Sequence, residues 1–496
     1  MPDITRRTFV SSISAAAALT GATANEEWIE LFNGRSLEGW RPNGNADSWK
    51  VSGGVLVGSG PTSHLFYDGP VRNATFRNFD LAAEIKTTAQ CNSGVYFHTA
   101  WQESGFPAKG FEVQVNNTYI GPDARRERNK TGSLYGLRNV YKQLVPDDRW
   151  FQMQVSVRGK NVQIRLDGVL VVDYVEPEPP VIPDGPEKNR FLSQGTFALQ
   201  CHNPGPVVSY RSIRVRPLPD DVPSSAAAPV ADDVFRKIIQ NGRHNIPMVD
   251  FHVHLKEGLT LEQALAKSRR DGIFYGIAIN GGKGFPIEND GGVRNFFESM
   301  KGQPIFIAMQ AEGREWTKMF SQPVAALFDY VFTDSMTWTD DSGKRMRLWI
   351  PEEVGTIADP QVFMDQLVSR TVGILEREPI DVYVNPTFLP DVIAKEYDRL
   401  WTEERMEKVI GAAVKNHVAI EMNNRYRIPS ATFIGRAKAA GCKFTMGTNN
   451  AGPNDLGRCE YALGLIDECK LEWQDFFVPR AWWPKAVDRK PDVLRG

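Results

Sequence analysis

Between Pro217 and Pro229 the chain changes its hydrophobic period, and that change constrains its fold more than any other feature. Upstream, short apolar or alternating runs are punctuated by Gly-Gly, Asp-Gly and Arg-Gly-Lys-Asn turns, with no helix-period segment of useful length. Runs at 49–52, 55–57, 79–86, 93–98, 111–115, 150–157, 161–166, 169–174, 195–200 and 212–215 predict strands of a two-sheet β-sandwich, a jelly roll, over 27–217. The stretch 218–230 is rich in proline and alanine and reads as a linker.

Downstream, strands and helices alternate. The opening strand, Val249-Asp250-Phe251-His252-Val253-His254-Leu255, places His252 and His254 two residues apart, hence on one side. Helical periods follow at 261–271, 292–300, 359–376, 403–416, 430–440 and 458–469, after a first one at 231–241. Strand-like runs lie between them at 275–279, 305–310, 330–332, 382–384, 419–422 and 443–446. Repeated β-α units imply a parallel (β/α) barrel over 231–478, with active groups at the C-terminal ends of its strands, and a C-terminal tail over 479–496. The fold class expected is multidomain, β followed by α/β.

Length agrees with two cores, since 496 residues exceed what one usually serves. With 58 Lys+Arg against 60 Asp+Glu there is no basic field for nucleic acid. The five cysteines form no C-x-x-C and are odd in number, which argues against a disulfide framework. Residues 1–24 carry Arg6-Arg7, a mildly apolar run and Ala22-Thr23-Ala24, the pattern of a twin-arginine signal peptide; the run is too short to span a membrane. The expected location is the periplasm or beyond.

The first half resembles a known family. Leu31-Phe32-Asn33-Gly34 through Gly39-Trp40, Ser93-Gly94-Val95-Tyr96-Phe97-His98, Gly110-Phe111-Glu112-Val113-Gln114, Thr131-Gly132-Ser133-Leu134-Tyr135-Gly136, Leu199-Gln200-Cys201-His202 and Tyr210-Arg211-Ser212-Ile213-Arg214-Val215 follow in that family's order. It is the 3-keto-disaccharide hydrolase domain, also described as 3-keto-glucoside 1,2-lyase and 3-keto-2-hydroxy-glucal hydratase. The resemblance implies a concanavalin-like jelly roll, a sugar or glycoside substrate, and an oxidoreductase partner that supplies 3-keto sugars. A C3 ketone acidifies the C2 hydrogen, so a base can remove it while the glycosidic oxygen leaves C1. The enolate needs stabilisation, which a divalent metal can supply. Glu112 and Gln114 share a strand face, and with His202 they are the catalytic candidates. Tyr96, His98, Tyr135, Lys142 and Arg211 are candidates for binding substrate.

The second half resembles the PHP (polymerase and histidinol phosphatase) metal-dependent phosphoesterases and, more loosely, the amidohydrolases. His252-Val253-His254 matches the first ligand pair, and Glu312 and Glu421 fall where further ligands belong. Elsewhere ligands give way to Asn280, Asn385, Asn449 and Ala451. Two readings stay open: a scaffold that has lost its metals, or a single divalent ion held by His252, His254 and Glu312 or Glu421. For the whole chain the alternatives to a 3-keto-glycoside enzyme are a carbohydrate-binding jelly roll joined to a metal-dependent hydrolase barrel, and a non-catalytic sugar-binding or scaffold protein.

Overall fold

The computed structural model describes residues 27–122, 126–182, 190–339, 344–479 and 484–495. The twin-arginine segment lies outside the described residues.

The first half is a sandwich of two antiparallel sheets. One runs Val169–Val175, Asn161–Leu166, Phe151–Arg158, Phe79–Thr87, Val208–Pro217, Val55–Gly58 and Trp49–Ser52, with Ile29–Glu30 also on Val208–Pro217. The other runs Trp40–Pro42, Ser63–Tyr67, Thr196–Cys201, Asn92–Thr99 and Phe111–Asn116. Both expected hairpins form: Arg158 pairs with Asn161 and Leu166 with Val169. The second turns through Asp167 at φ 46° and Gly168 at φ 84°, the double positive φ that a right-twisted hairpin favours. Leu65, Val95, Val113 and Leu199 point inward from the five-stranded sheet and pack against Leu81, Val155 and Ile213 of the other. The strand Ser63–Tyr67 was not among the runs expected from the sequence.

The second half closes a seven-stranded parallel barrel: Val249–His254, Phe274–Gly281, Phe306–Ala311, Tyr330–Thr333, Val382–Tyr383, Ala419–Asn423 and Phe444–Gly447. Asp250 pairs with Met446 to close it. The helices Leu261–Asp271, Asp290–Met300, Pro360–Arg377, Glu403–Lys415, Ala431–Ala439 and Glu460–Glu468 pack around it, close to the expected positions.

The sandwich docks on the N-terminal end of the barrel, and the two share one apolar cluster. Phe251, Phe274, Phe306 and Tyr330 of the barrel floor belong to the same core as Tyr141 and Val140. Phe251 stacks on Phe306 at 5.9 Å, and Tyr141 meets Phe274 edge-on at 5.9 Å. The Tyr141 hydroxyl accepts from Met248 N at 3.0 Å. The buried Arg138 guanidinium donates to Arg269 O and Arg270 O, both at 3.2 Å, at the C-terminal end of Leu261–Asp271, where a cation suits the helix dipole.

The stretch expected to be a tail is not loose where it is described. Val487 and Leu494 are buried, Ala486 N donates to Asp381 Oδ1 at 2.8 Å, and Arg495 pairs with Asp290 at 2.6 Å. Its charged and proline residues hid two well-spaced apolar anchors. The linker is likewise held: Ser224 Oγ accepts from Lys160 N at 2.7 Å.

Candidate active site

The outer face of the five-stranded sheet is built in rows. Phe66 pairs with Ala198, Ala198 with Tyr96, and Tyr96 with Glu112. Phe66, Tyr96 and Ala198 form a cluster apart from the main core, as expected of side chains on the opposite face. In the neighbouring row His64 pairs with Gln200 and Gly94 with Gln114. Glu112 fits because position 94 is glycine: a Cβ there would lie 2.6 Å from Glu112 Oε1.

These groups form one buried network. Gln200 Nε2 donates to Tyr96 Oη at 2.9 Å and reaches Glu112 Oε1 at 3.5 Å. Burial and, next, the Glu112 carboxylate hold the Tyr96 phenol well above its ordinary pKa, so it remains a hydrogen-bond donor to Glu112. His64 Nε2 lies 3.4 Å from Gln200 Nε2 and therefore accepts, which places the ring proton on Nδ1. Burial, and then His202, lower the His64 pKa to about 3. His64 Nδ1, Gln200 Oε1 and His202 Nδ1 are buried without hydrogen-bond partners. Such orphaned atoms are rare inside a folded domain and mark a place for a ligand. Phe106, 51% exposed, overhangs both imidazoles at 5.3 and 5.9 Å.

Of the candidates read from sequence, Glu112, Tyr96 and Gln114 share this face, with Gln114 Nε2 donating to Asn92 Oδ1 at 2.6 Å. His202 lies at its margin, against Phe106 and Tyr119. Tyr135 is adjacent, its backbone N bonded to Glu112 O at 3.0 Å. Three candidates lie elsewhere. His98 takes φ 55°, leaves the alternation, packs edge-on against Phe79, and bonds Arg77 O through Nε2 at 2.8 Å. Lys142 pairs with Asp329 of the barrel at 2.7 Å. Arg211 pairs with Glu84 on the other sheet and covers Trp150. His64 and Phe106 were not among the residues singled out for the site; the unrecognised strand Ser63–Tyr67 concealed the first.

The barrel gathers a second polar network at the C-terminal ends of its strands. The register shifts between Asp250 and Val253, a bulge that turns both histidines into the interior above Phe251. His252 Nδ1 meets Glu421 Oε1 at 2.6 Å and its Nε2 meets Gln310 Oε1 at 3.2 Å. Glu421 Oε2 accepts from Asn385 N at 2.8 Å and Asn423 Nδ2 at 3.0 Å. Asn385 in turn donates to Asp334 Oδ2 at 2.8 Å and accepts from Asn449 at 3.1 Å. Glu312 accepts from Asn280 at 2.8 Å; burial, and then the charge of Asp334, raise its pKa to about 8. His254 Nδ1 lies 3.1 Å from Ala278 O. Gly447 is required here, because a Cβ would fall 2.1 Å from Glu421 Oε1.

The side chains as placed do not fit a divalent ion. Both His252 nitrogens are engaged, Glu312 is held by Asn280 rather than grouped with the histidines, and among the described residues no three His, Cys, Asp or Glu side chains form a metal-holding group. Asn385 and Asn449 are connectors of the hydrogen-bond network, and Asn280 holds Glu312.

Comparison with known proteins bears on the first half. Residues 27–216 match the family model of the 3-keto-alpha-glucoside-1,2-lyase-like domain. A protein of Parabacteroides distasonis ATCC 8503, provisionally described as a glycosyl hydrolase, is similar at 23% identity over 39% of this chain and 94% of that one, with a TM-score of 0.32. Carbohydrate binding module CBM66 from Bacillus subtilis is similar at 13% identity over 36% of this chain and 95% of its own, TM-score 0.23. A Bacillus subtilis protein of unknown function with a galectin-like fold aligns at 13% identity over 38% and 94%, TM-score 0.28. No curated protein matches the chain. The family match assigns the sandwich to a carbohydrate-active class.

Proposed function

We propose that the sandwich cleaves glycosides whose sugar carries a C3 ketone. Glu112 is the base: its carboxylate takes the C2 proton, and the C2–H electron pair becomes the enolate. The C1–O bond then breaks as the C1=C2 bond forms, and the leaving oxygen takes the proton that Glu112 now carries, which gives a 2-hydroxyglucal-type 3-ketone and restores the carboxylate. Tyr96 and Gln200 orient the carboxylate, while the His64 Nδ1–H is a donor for the enolate oxygen, worth most in a site shielded from water. The observation that carries this reading is the Glu112 carboxylate set among buried, unpartnered hydrogen-bonding atoms within a matched family domain. Phe106 is suited to covering the apolar face of a pyranose.

The reading extends to context. A twin-arginine leader over 1–24 accords with export to the periplasm or beyond, and an oxidoreductase would supply the 3-keto substrate. The barrel is read as a PHP-type scaffold whose ligand positions have been rebuilt with asparagines. The test is Glu112→Gln assayed on a 3-keto-glucoside and on the unoxidised glucoside. The wild type cleaves only the former and the variant neither; full cleavage by the variant removes Glu112 from the role.

A further inference from the structure

The mouth of the barrel holds a cavity of about 340 Å³ that the reaction above leaves unused. We propose that it is a second binding site, for a neutral polyhydroxylated ligand of mono- or disaccharide size. The volume lies in the lower part of the roughly 300–1,000 Å³ range of small-molecule sites, and the C-terminal end of a parallel barrel is where such sites are built.

The chemistry of the lining selects the ligand class. Asn280, Gln310, Asn385, Asn449 and Asn450 all face the cavity. Asn385 and Asn450 are held by bonds within the chain, while Asn280, Gln310 and Asn449 each bond through one amide atom only, and an amide combines the donor and acceptor roles that a hydroxyl also combines. The charges balance: with Glu312 mostly protonated, Lys256 and Arg425 are answered by Asp334 and by Asp455, which lies 3.5 Å from Arg425. A phosphate or carboxylate would need cations in excess, and a cationic ligand the reverse. Phe285, Trp349 and Tyr426 supply apolar surface beside the amides, the combination that receives the C–H face of a sugar ring. Trp349 leaves 40% of its surface exposed.

A separate observation points the same way. His254 is 1% exposed, and its Nε2 has no more than a loose contact with Gln310. Its neighbours Lys256 and Gln310 line the cavity. Gln310 Oε1 is already shared with His252 Nε2 at 3.2 Å, so the His254 nitrogen is left short of a partner of its own beside the cavity. The site is also independent of the sandwich, which docks on the opposite end of the barrel.

The experiment is hydrogen–deuterium exchange of the full chain, with and without glucose or methyl glucoside, and with inorganic phosphate and glucose 6-phosphate as separate arms. Glucose or methyl glucoside is expected to slow exchange several-fold in peptides covering 280–288, 345–350 and 423–427. Trp349→Ala, at the rim, and Glu312→Gln, which keeps the shape of the side chain, are expected to abolish that slowing. If Glu312→Gln fails to fold, the rim variant decides alone. Three results overturn the proposal: no protection at the mouth, protection by phosphate or glucose 6-phosphate but not by glucose, or mouth protection unchanged in Trp349→Ala. Protection confined to 92–116 overturns it while leaving the sandwich reading intact. Mouth protection together with an active Glu112→Gln enzyme upholds it and removes the other.

Discussion

His64 gives the sandwich a specific sensitivity to acid. Its ring is 1% exposed, and burial followed by the neighbouring His202 lowers its pKa to about 3. An unfolded histidine titrates near 6.5. Between pH 6.5 and 3 the unfolded chain therefore binds a proton that the folded chain refuses, so stability falls as pH drops through that window. Linkage over three and a half units gives a loss of about 2.5 kcal/mol on going from pH 7 to 4.5 from this side chain alone. His98, lowered to about 4 chiefly by burial, adds a loss in the same direction. The assay is urea unfolding followed by tryptophan fluorescence at both pH values, in the wild type and in His64→Gln. Both proteins keep His98, so its contribution cancels in the difference. The wild type should lose about 2.5 kcal/mol more than the variant on acidification. Equal losses in the two would mean that His64 is not held neutral, and would refute the donor role given to its Nδ1–H.

Other perturbations follow from contacts already described. Gly94→Ala drives a methyl against Glu112 and should abolish 3-keto-glucoside cleavage while costing about 1–3 kcal/mol of stability; turnover and thermal unfolding measured together check both halves. Gly447→Ala collides with Glu421 and with His252 Cβ, 2.7 Å away, and should cost about 3 kcal/mol, read from the urea midpoint, without altering the position of Glu112. Arg138→Ala removes donors to the carbonyls of residues 137, 269 and 270 and should cost about 2–3 kcal/mol, with faster proteolysis of 218–230 as the second readout.

Much of the architecture was legible because hydrophobic period is a local property. The hairpins at Arg158–Asn161 and Leu166–Val169 and the helix Leu261–Asp271 depend on residues close in sequence. The strand Ser63–Tyr67 was missed for a physical reason. All five of its residues are buried, because loops cover the outer face of its sheet, and the polar-apolar alternation that reveals a half-exposed strand is absent. The placement of Glu112 beside Tyr96 follows from alternation plus pairing, but the turn of His98 out of that face depends on one backbone angle that no side-chain pattern encodes. Lys142 and Arg211 read as sugar binders only until partners distant in sequence, Asp329 and Glu84, claim them. In the barrel the two histidines were evident, whereas the engagement of His252 by Gln310 and Glu421 required the closed strand order.

The apolar cluster that runs from the sandwich into the barrel floor has a thermodynamic consequence. The proline-rich stretch at 218–230 divides the sequence, but it does not divide the free energy of folding, because Tyr141 on one side and Phe274 and Phe306 on the other are buried by each other. Cutting the chain there would leave two pieces, each with an open hydrophobic wound. The halves should melt together in a single cooperative transition, and the roles of the two sites are best separated by single substitutions in an uncut chain.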